Sequence, residues 1–178
     1  WQKTVAGILF LALAVAAPSI SAEKTKKTTP VKESRISAFE ITEGDRTFME
    51  LREAAKRNDV ARAQTLAASL SNYPYEDYVA YFRIKPQLFD SAGGARAETN
   101  ADSQVQAFLN QYQGTALADR MRNDWLLVLG KRKDWARFDL EYAKFVLNDD
   151  TQVKCYSLLS KLSQGENPTK LAIDRSEE

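Results

Sequence analysis

Carboxylates are the side chains from which this sequence could assemble a catalytic centre, because it lacks imidazole altogether and nearly lacks thiol. Its 178 residues contain no histidine and one cysteine, Cys155. That excludes a Ser-His-Asp triad, a Cys-His pair and any zinc site built on imidazole. Three acidic groupings remain. Glu33–Ser34 lies in a charged, unpatterned stretch, where nothing would raise a glutamate's pKa or hold a sugar. Glu76 and Asp77 fall on the expected solvent side of an aromatic helix, and Asp149–Asp150 reads as a loop residue followed by a helix N-cap. Solvation or capping accounts for each, since a catalytic carboxylate needs burial beside a polar site. No phosphate-binding glycine loop is present, and Gly93–Gly94 stands alone in a polar segment. No metal or cofactor is therefore expected. Tyr73, Tyr75, Tyr78 and Tyr81 have the chemistry to stack on sugar rings, but aromatics at helical spacing ordinarily belong to a core.

The elements that must position these residues read as helices throughout. Thr47 and Glu50 have capping-box spacing, with Phe48, Leu51 and Ala55 on one face of a helix that stops near Asn58. Asp59 can cap a second helix along Val60, Ala63, Ala67 and Leu70. Pro74 suits the first turn of a third, whose aromatic face holds Tyr75, Tyr78, Val79 and Phe82. A polar loop from Ser91 to Asp102 leads to a short helix with Val105, Phe108, Leu109 and Tyr112, ended by Gly114. The strongest helix spans about Leu117 to Lys131, with Leu117, Met121, Trp125, Val128 and Leu129 at i, i+4, i+8, i+11 and i+12. Its partner follows Asp134 and carries Trp135, Phe138, Tyr142, Phe145 and Val146 on one side. A last helix, from about Thr151 to Leu162, carries Val153, Tyr156, Leu159 and Leu162. With no convincing strand, the expected fold class is all-α.

One internal echo refines that expectation. AKRNDVAR (Ala55 to Arg62) and GKRKDWAR (Gly130 to Arg137) share Lys, Arg, Asp, Ala and Arg, with Val60 opposite Trp135. Both sit between two helices, with Asp placed to cap the second, and KLSQGENPTK from Lys161 has the same form. Helix pairs that re-use one junction are the mark of an α-solenoid, a superhelix of antiparallel hairpins each burying its apolar face on the next.

The N-terminus bears on compartment. Val5 to Ala17 runs uncharged behind Lys3, Pro18 breaks the run, and small residues follow to Ala22. This is a secretory signal pattern, too short for a spanning helix of roughly 20 apolar residues. The expected organisation is a signal peptide over 1–22, a flexible lead-in over 23–42, a helical domain over 43–167 and a divergent tail over 168–178. Removing 1–22 takes away Lys3 and no acid, leaving 24 basic against 24 acidic residues. That neutrality argues against nucleic acid as a partner, and loss of the signal leaves no membrane segment. In an oxidising compartment the odd Cys155 implies either a buried, inert thiol or a disulfide partner outside this chain.

Taken in order, YPYEDYVAYFRI, FLNQYQGTALADRMRNDWLLVLGKRKDWARF and VKCYSLLSKLSQGE resemble the N-terminal superhelical region of soluble lytic murein transglycosylases. Tyr73, Pro74, Tyr81 and Ile84 match one motif of that family. Ala118, Asp124, Leu126, Asp134 and Trp135 match a second, and Cys155–Tyr156 a third, so the resemblance covers about Glu43 to Asn167. It implies a periplasmic enzyme cleaving peptidoglycan between N-acetylmuramic acid and N-acetylglucosamine, leaving a 1,6-anhydro end. The family's catalytic glutamate lies in a C-terminal lysozyme-like domain, before a serine and ahead of a Gly-Leu-Met-Gln segment. Neither context occurs here, and Glu33–Ser34 precedes the helical region, so no catalytic residue is carried over. The resemblance thus implies a non-catalytic helical part, truncated before the catalytic domain and in contact with glycan strands. It also implies a structural disulfide from Cys155 to a cysteine this chain does not contain. Two other readings stay open: a free-standing periplasmic helical-repeat adaptor that binds proteins, and a small helical muramidase using its own carboxylates.

Overall fold

The computed structural model describes residues 40–167. The signal peptide, Glu33–Ser34 and the tail from Pro168 onward lie outside the described residues. Within them the chain is all-α: α1 (Glu43–Lys56), α2 (Val60–Ala68), α3 (Glu76–Ile84), α4 (Asp102–Gln111), α5 (Ala116–Arg132), α6 (Trp135–Tyr142) and α7 (Thr151–Ser163). A single 3-10 turn, Lys85–Gln87, follows α3, and an isolated bridge joins Phe89 to Ala95. Among the described residues no helix is long and apolar enough to cross a membrane.

Capping decides where these helices begin. Thr42, not Thr47, starts α1: its hydroxyl accepts from the Asp45 amide while the Asp45 carboxylate accepts from the Thr42 amide at 2.9 Å. Thr47 and Glu50 are too far along the chain to cap, and the Thr47 hydroxyl instead donates to the Glu43 carbonyl one turn back. Asp59, Thr115, Asp134 and Asp150 cap α2, α5, α6 and α7. Pro74 lies before α3 rather than in its first turn, because Tyr75 occupies the N-cap position.

The echoed segments form the same turn. Asn58 and Lys133 both adopt left-handed backbone, at φ 54° and 59°. The following Asp59 and Asp134 amides each donate back to the carbonyl five residues earlier, Ala54 and Leu129, at 3.0 Å. This is a Schellman closure, which satisfies helix-end carbonyls and turns the chain back on itself. Four residues past each capping Asp sits a fully buried side chain, Ala63 or Phe138, which locks the second helix on the first. The third junction repeats the closure: Gly165 has φ 89°, and the Glu166 amide donates to the Lys161 carbonyl at 3.1 Å.

Two hydrophobic clusters meet at α3. Leu51, Ala54, Ala63, Ala67, Leu70 and Val79 join α1, α2 and one side of α3. The larger cluster is centred on α5, where Met121, Trp125, Leu126, Val128 and Leu129 are buried, and it reaches Tyr81, Ile84, Phe108, Phe138 and Val153. Phe82 packs against both.

The expected apolar faces need correction in three places. On α3, Tyr81 and Ile84 are buried whereas Tyr75 and Tyr78 are 57% and 43% exposed. Val146 is exposed because α6 ends at Tyr142 and the chain has left the helical register by then. On α7 only Val153 and Ser160 are buried, leaving Leu159 and Leu162 48% and 39% exposed. Among the described residues that side of the helix is only partly covered.

Candidate functional site

Burying α5 on nearly every side forces polar residues into the interior, and each must find a partner. Asp124 accepts from the Tyr81 hydroxyl at 2.8 Å and from Lys85 Nζ at 3.1 Å. Lys85 also lies over the rings of Tyr81 and Phe89, at 5.6 and 5.2 Å from their centroids. Burial pushes the Asp124 carboxyl above the ordinary carboxylate range, and Lys85 and the Tyr81 hydroxyl pull against that shift. Burial likewise raises the Tyr81 phenol, assisted by the negative charge of Asp124.

Asp119 sits one turn earlier and ties the α6–α7 connection down. Its carboxylate accepts from the Val146 and Leu147 amides at 3.0 and 2.7 Å and from Arg122 at 2.8 Å. Arg122 reaches Glu141 on α6 as well. Asp102, at the start of α4, accepts from Trp125 Nε1 at 3.0 Å and from Arg132 and Arg137 at 2.6 and 3.1 Å. Its burial raises the carboxyl, but the hydrogen bonds from Arg132 and Trp125 and the two arginine charges outweigh that and leave it below the usual range. Asn123 donates to Asp150 at 3.2 Å, while its Oδ1 is buried without a partner among the described residues. Asp124, with its raised carboxyl, is enclosed by Tyr81 and Lys85, and together these groups hold the helices in register.

The acidic pairs form no reactive centre. Glu76 is exposed, the Asp77 carboxylate accepts from the neighbouring Tyr78 amide, Asp149 is exposed, and Asp150 caps α7. The Gly93–Gly94 turn cradles its own chain: the Asp90 carboxylate accepts from the Ala92 and Gly94 amides at 3.0 and 2.8 Å. Among the described residues no group of three or more His, Cys, Asp or Glu side chains could hold a metal ion. Cys155 is exposed, which corrects the expectation of a buried, inert thiol. Its placement on α7 is consistent with either packing or pairing outside the chain.

The surface with binding chemistry surrounds α3. Residues 75, 78 and 82 repeat at helical spacing and form an aromatic ledge with Phe48 and Tyr73. Phe48 and Tyr73 stack at 5.0 Å between centroids, and Tyr75 lies 5.8 Å from Tyr73. The Tyr73 hydroxyl donates to Asp45 at 2.8 Å, a bond that pushes the phenol up to about 12 and fixes the ring. Glu76, Val79, Ala80 and Arg83 face the other way, into a cleft of about 380 Å³ between α2, α3 and α4. Gln64 and Ser71 stand on its α2 side, and Gln87 and Gln104 close its far end with paired amides at 3.2 and 3.4 Å. Other clefts among the described residues include one of about 460 Å³ beside the α1–α2 turn and one of about 480 Å³ at the start of α5. Ion pairs already occupy much of their charge, Arg62 with Glu50 in the first and Arg122 with Asp119 in the second.

No family model, curated protein or solved structure matches the chain. Function is therefore legible only in the residues themselves. Among the tyrosines with sugar-stacking chemistry, Tyr75 and Tyr78 keep their rings open to solvent, whereas Tyr73 is half-buried and Tyr81 buried. The glutamines of the cleft gave no signal in the sequence, since Gln64, Gln87 and Gln104 are scattered and meet only through the packing of α2, α3 and α4.

Proposed function

We propose that residues 43–167 are a non-catalytic, glycan-contacting helical scaffold of the soluble lytic murein transglycosylase type, exported to the periplasm. The observation that supports this best is the helix-ending turn used three times, at Asn58, Lys133 and Gly165, with the same back-donated amide each time and, after the first two, a second helix capped by Asp59 or Asp134. A stack of hairpins built on one turn grows into a superhelix, whose long curved surface suits a polymer better than a small molecule. The reading assigns the bond-cleaving step to no residue of this chain. Asp124 is enclosed by Tyr81 and Lys85, and the exposed Glu76 stands beside no second carboxylate in its cleft, so the muramidase reading lacks an acid and a base across one opening.

Leu159 and Leu162 leave an apolar strip on α7 among the described residues, and strips of this kind are what the hairpins of a stack bury against one another. Sedimentation of the purified chain with murein sacculi tests the proposal. The expected result is saturable association without release of 1,6-anhydro-muropeptides. Failure to associate, or release of those products, refutes it.

A further inference from the structure

We infer that the cleft between α2, α3 and α4 is a subsite for the acetamido group of an N-acetylated amino sugar, with the aromatic ledge across α3 taking the adjoining ring. The source of the sugar rests on the scaffold proposal, and the ligand class on the cleft's own chemistry. That chemistry is neutral and hydrogen-bonding. Gln64, Ser71, Glu76 and Arg83 line it and make no side-chain hydrogen bond or ion pair among the described residues, so their donors and acceptors are available to a ligand. Arg83 and Glu76 cancel in charge, which disfavours both a phosphate and a cation. The amide of Gln64 carries a donor and an acceptor, as does an acetamido group, and the two can pair reciprocally.

The floor supports the same ligand. It is made of Ala67, Ala68, Val79 and Ala80, small apolar groups that leave room for a methyl. Helical spacing sets the geometry. Glu76 and Arg83 are two turns apart, about 10 Å along α3, while Tyr75 and Tyr78 leave the same helix toward the ledge. A polymer crossing the first turn of α3 therefore meets an aromatic face and an amide-lined cleft in succession. Stacking of one ring on Tyr75 or Tyr78 and hydrogen bonding of the next acetamido group in the cleft would read alternate chemistry on successive sugars.

Calorimetric titration of the purified chain tests this, using the β-1,4 tetramer of N-acetylglucosamine and cellotetraose as the same backbone without acetamido groups. We expect the acetylated tetramer to bind about 10-fold tighter, the equivalent of one or two well-made hydrogen bonds. Gln64→Ala with Arg83→Ala, both exposed positions, should reduce that preference to about 2-fold or less, with an unchanged circular dichroism spectrum. Murein strands stripped of peptide should displace the tetramer; a tetramer they cannot displace overturns murein as the source. Equal binding of the two tetramers, or a preference untouched by the double variant, overturns the cleft assignment. If sacculi still bind in that case, the scaffold proposal survives alone; if sacculi do not bind either, both fail.

Discussion

Gly130 of α5 lies directly against Tyr156 of α7, and replacing it by alanine gives a sharp test of that packing. A Cβ at this position would lie 2.2 and 2.3 Å from Tyr156 Cδ2 and Cγ. Ordinary contact needs roughly 3.5–4 Å, so ring or helix must move by more than 1 Å or so. The ring is not free to do this. It packs edge-on to Phe138, with centroids 6.4 Å apart, and its hydroxyl accepts from Gln152 at 3.0 Å. Overpacking of this kind costs about 1–3 kcal/mol, while alanine gains about 1 kcal/mol over glycine in a helix interior. The expected balance is a loss of up to about 2 kcal/mol, a fall of up to roughly 10 °C in melting temperature for a domain of this size. Thermal denaturation followed by circular dichroism reads it. Tyr156→Ala removes every clashing ring atom, so in that background Gly130→Ala should turn stabilising by about 1 kcal/mol. Stabilisation of the parent chain by Gly130→Ala would refute the close approach of α5 and α7.

Three further outcomes follow from the buried polar groups and the junctions. Lys85→Met should destabilise by about 3 kcal/mol near neutral pH, because it leaves the Asp124 carboxylate buried without its cation. Since burial already raises the Asp124 pKa, the penalty is full above the folded-state pKa and disappears as pH falls toward the unfolded value. Urea titrations of parent and variant should therefore converge toward about pH 4. Asp102→Asn acts with the opposite sign. Its folded-state pKa is lowered, so its contribution is present above the unfolded value, about 4, and is lost as pH falls through the folded one. The variant should lose about 1–3 kcal/mol at neutral pH and show a shallower acid limb; an unchanged limb contradicts the Arg132–Asp102 geometry. Lys133→Gly should stabilise by about 1 kcal/mol by relieving left-handed backbone. Asn58→Gly should gain less, since the Asn58 amide donates to the Asp90 carbonyl at 2.7 Å, and chemical denaturation of the two variants measures the difference.

Helix number, order and most boundaries were legible because an apolar residue at every third or fourth position has one stable reading. Leu117 to Leu129 is the clearest case, and α5 does run through them. The errors arise where a local signal had two readings. Thr47 followed by Glu50 has the spacing of a capping box, but Thr42 followed by Asp45 has it as well, and the helix takes the earlier start. On α3 the period placed Tyr75, Tyr78 and Phe82 together, and they do share a face. Whether a face is inside depends on what packs against it, and α1 covers only part of this one. Leu159 and Leu162 illustrate the same point on α7.

The polar interior was illegible for a different reason. Asp119, Arg122, Asn123 and Asp124 make α5 look amphipathic, with a charged side for water. In the folded chain α3, α6 and the segments that follow them surround these residues, and their charges become crossbraces to Glu141, Val146, Tyr81 and Lys85. No period in a single helix encodes partners that are 19 to 43 residues away. The junction echo succeeded because its physics is local: a left-handed residue, a capping Asp and a returned amide all lie within one turn of each other. Local chemistry repeated along a chain is thus the part of this architecture that sequence carries openly. For the same reason the repeated turns, rather than any acidic pair, support the functional reading. A turn is complete in its own residues, whereas the α3 cleft exists only after three helices have met.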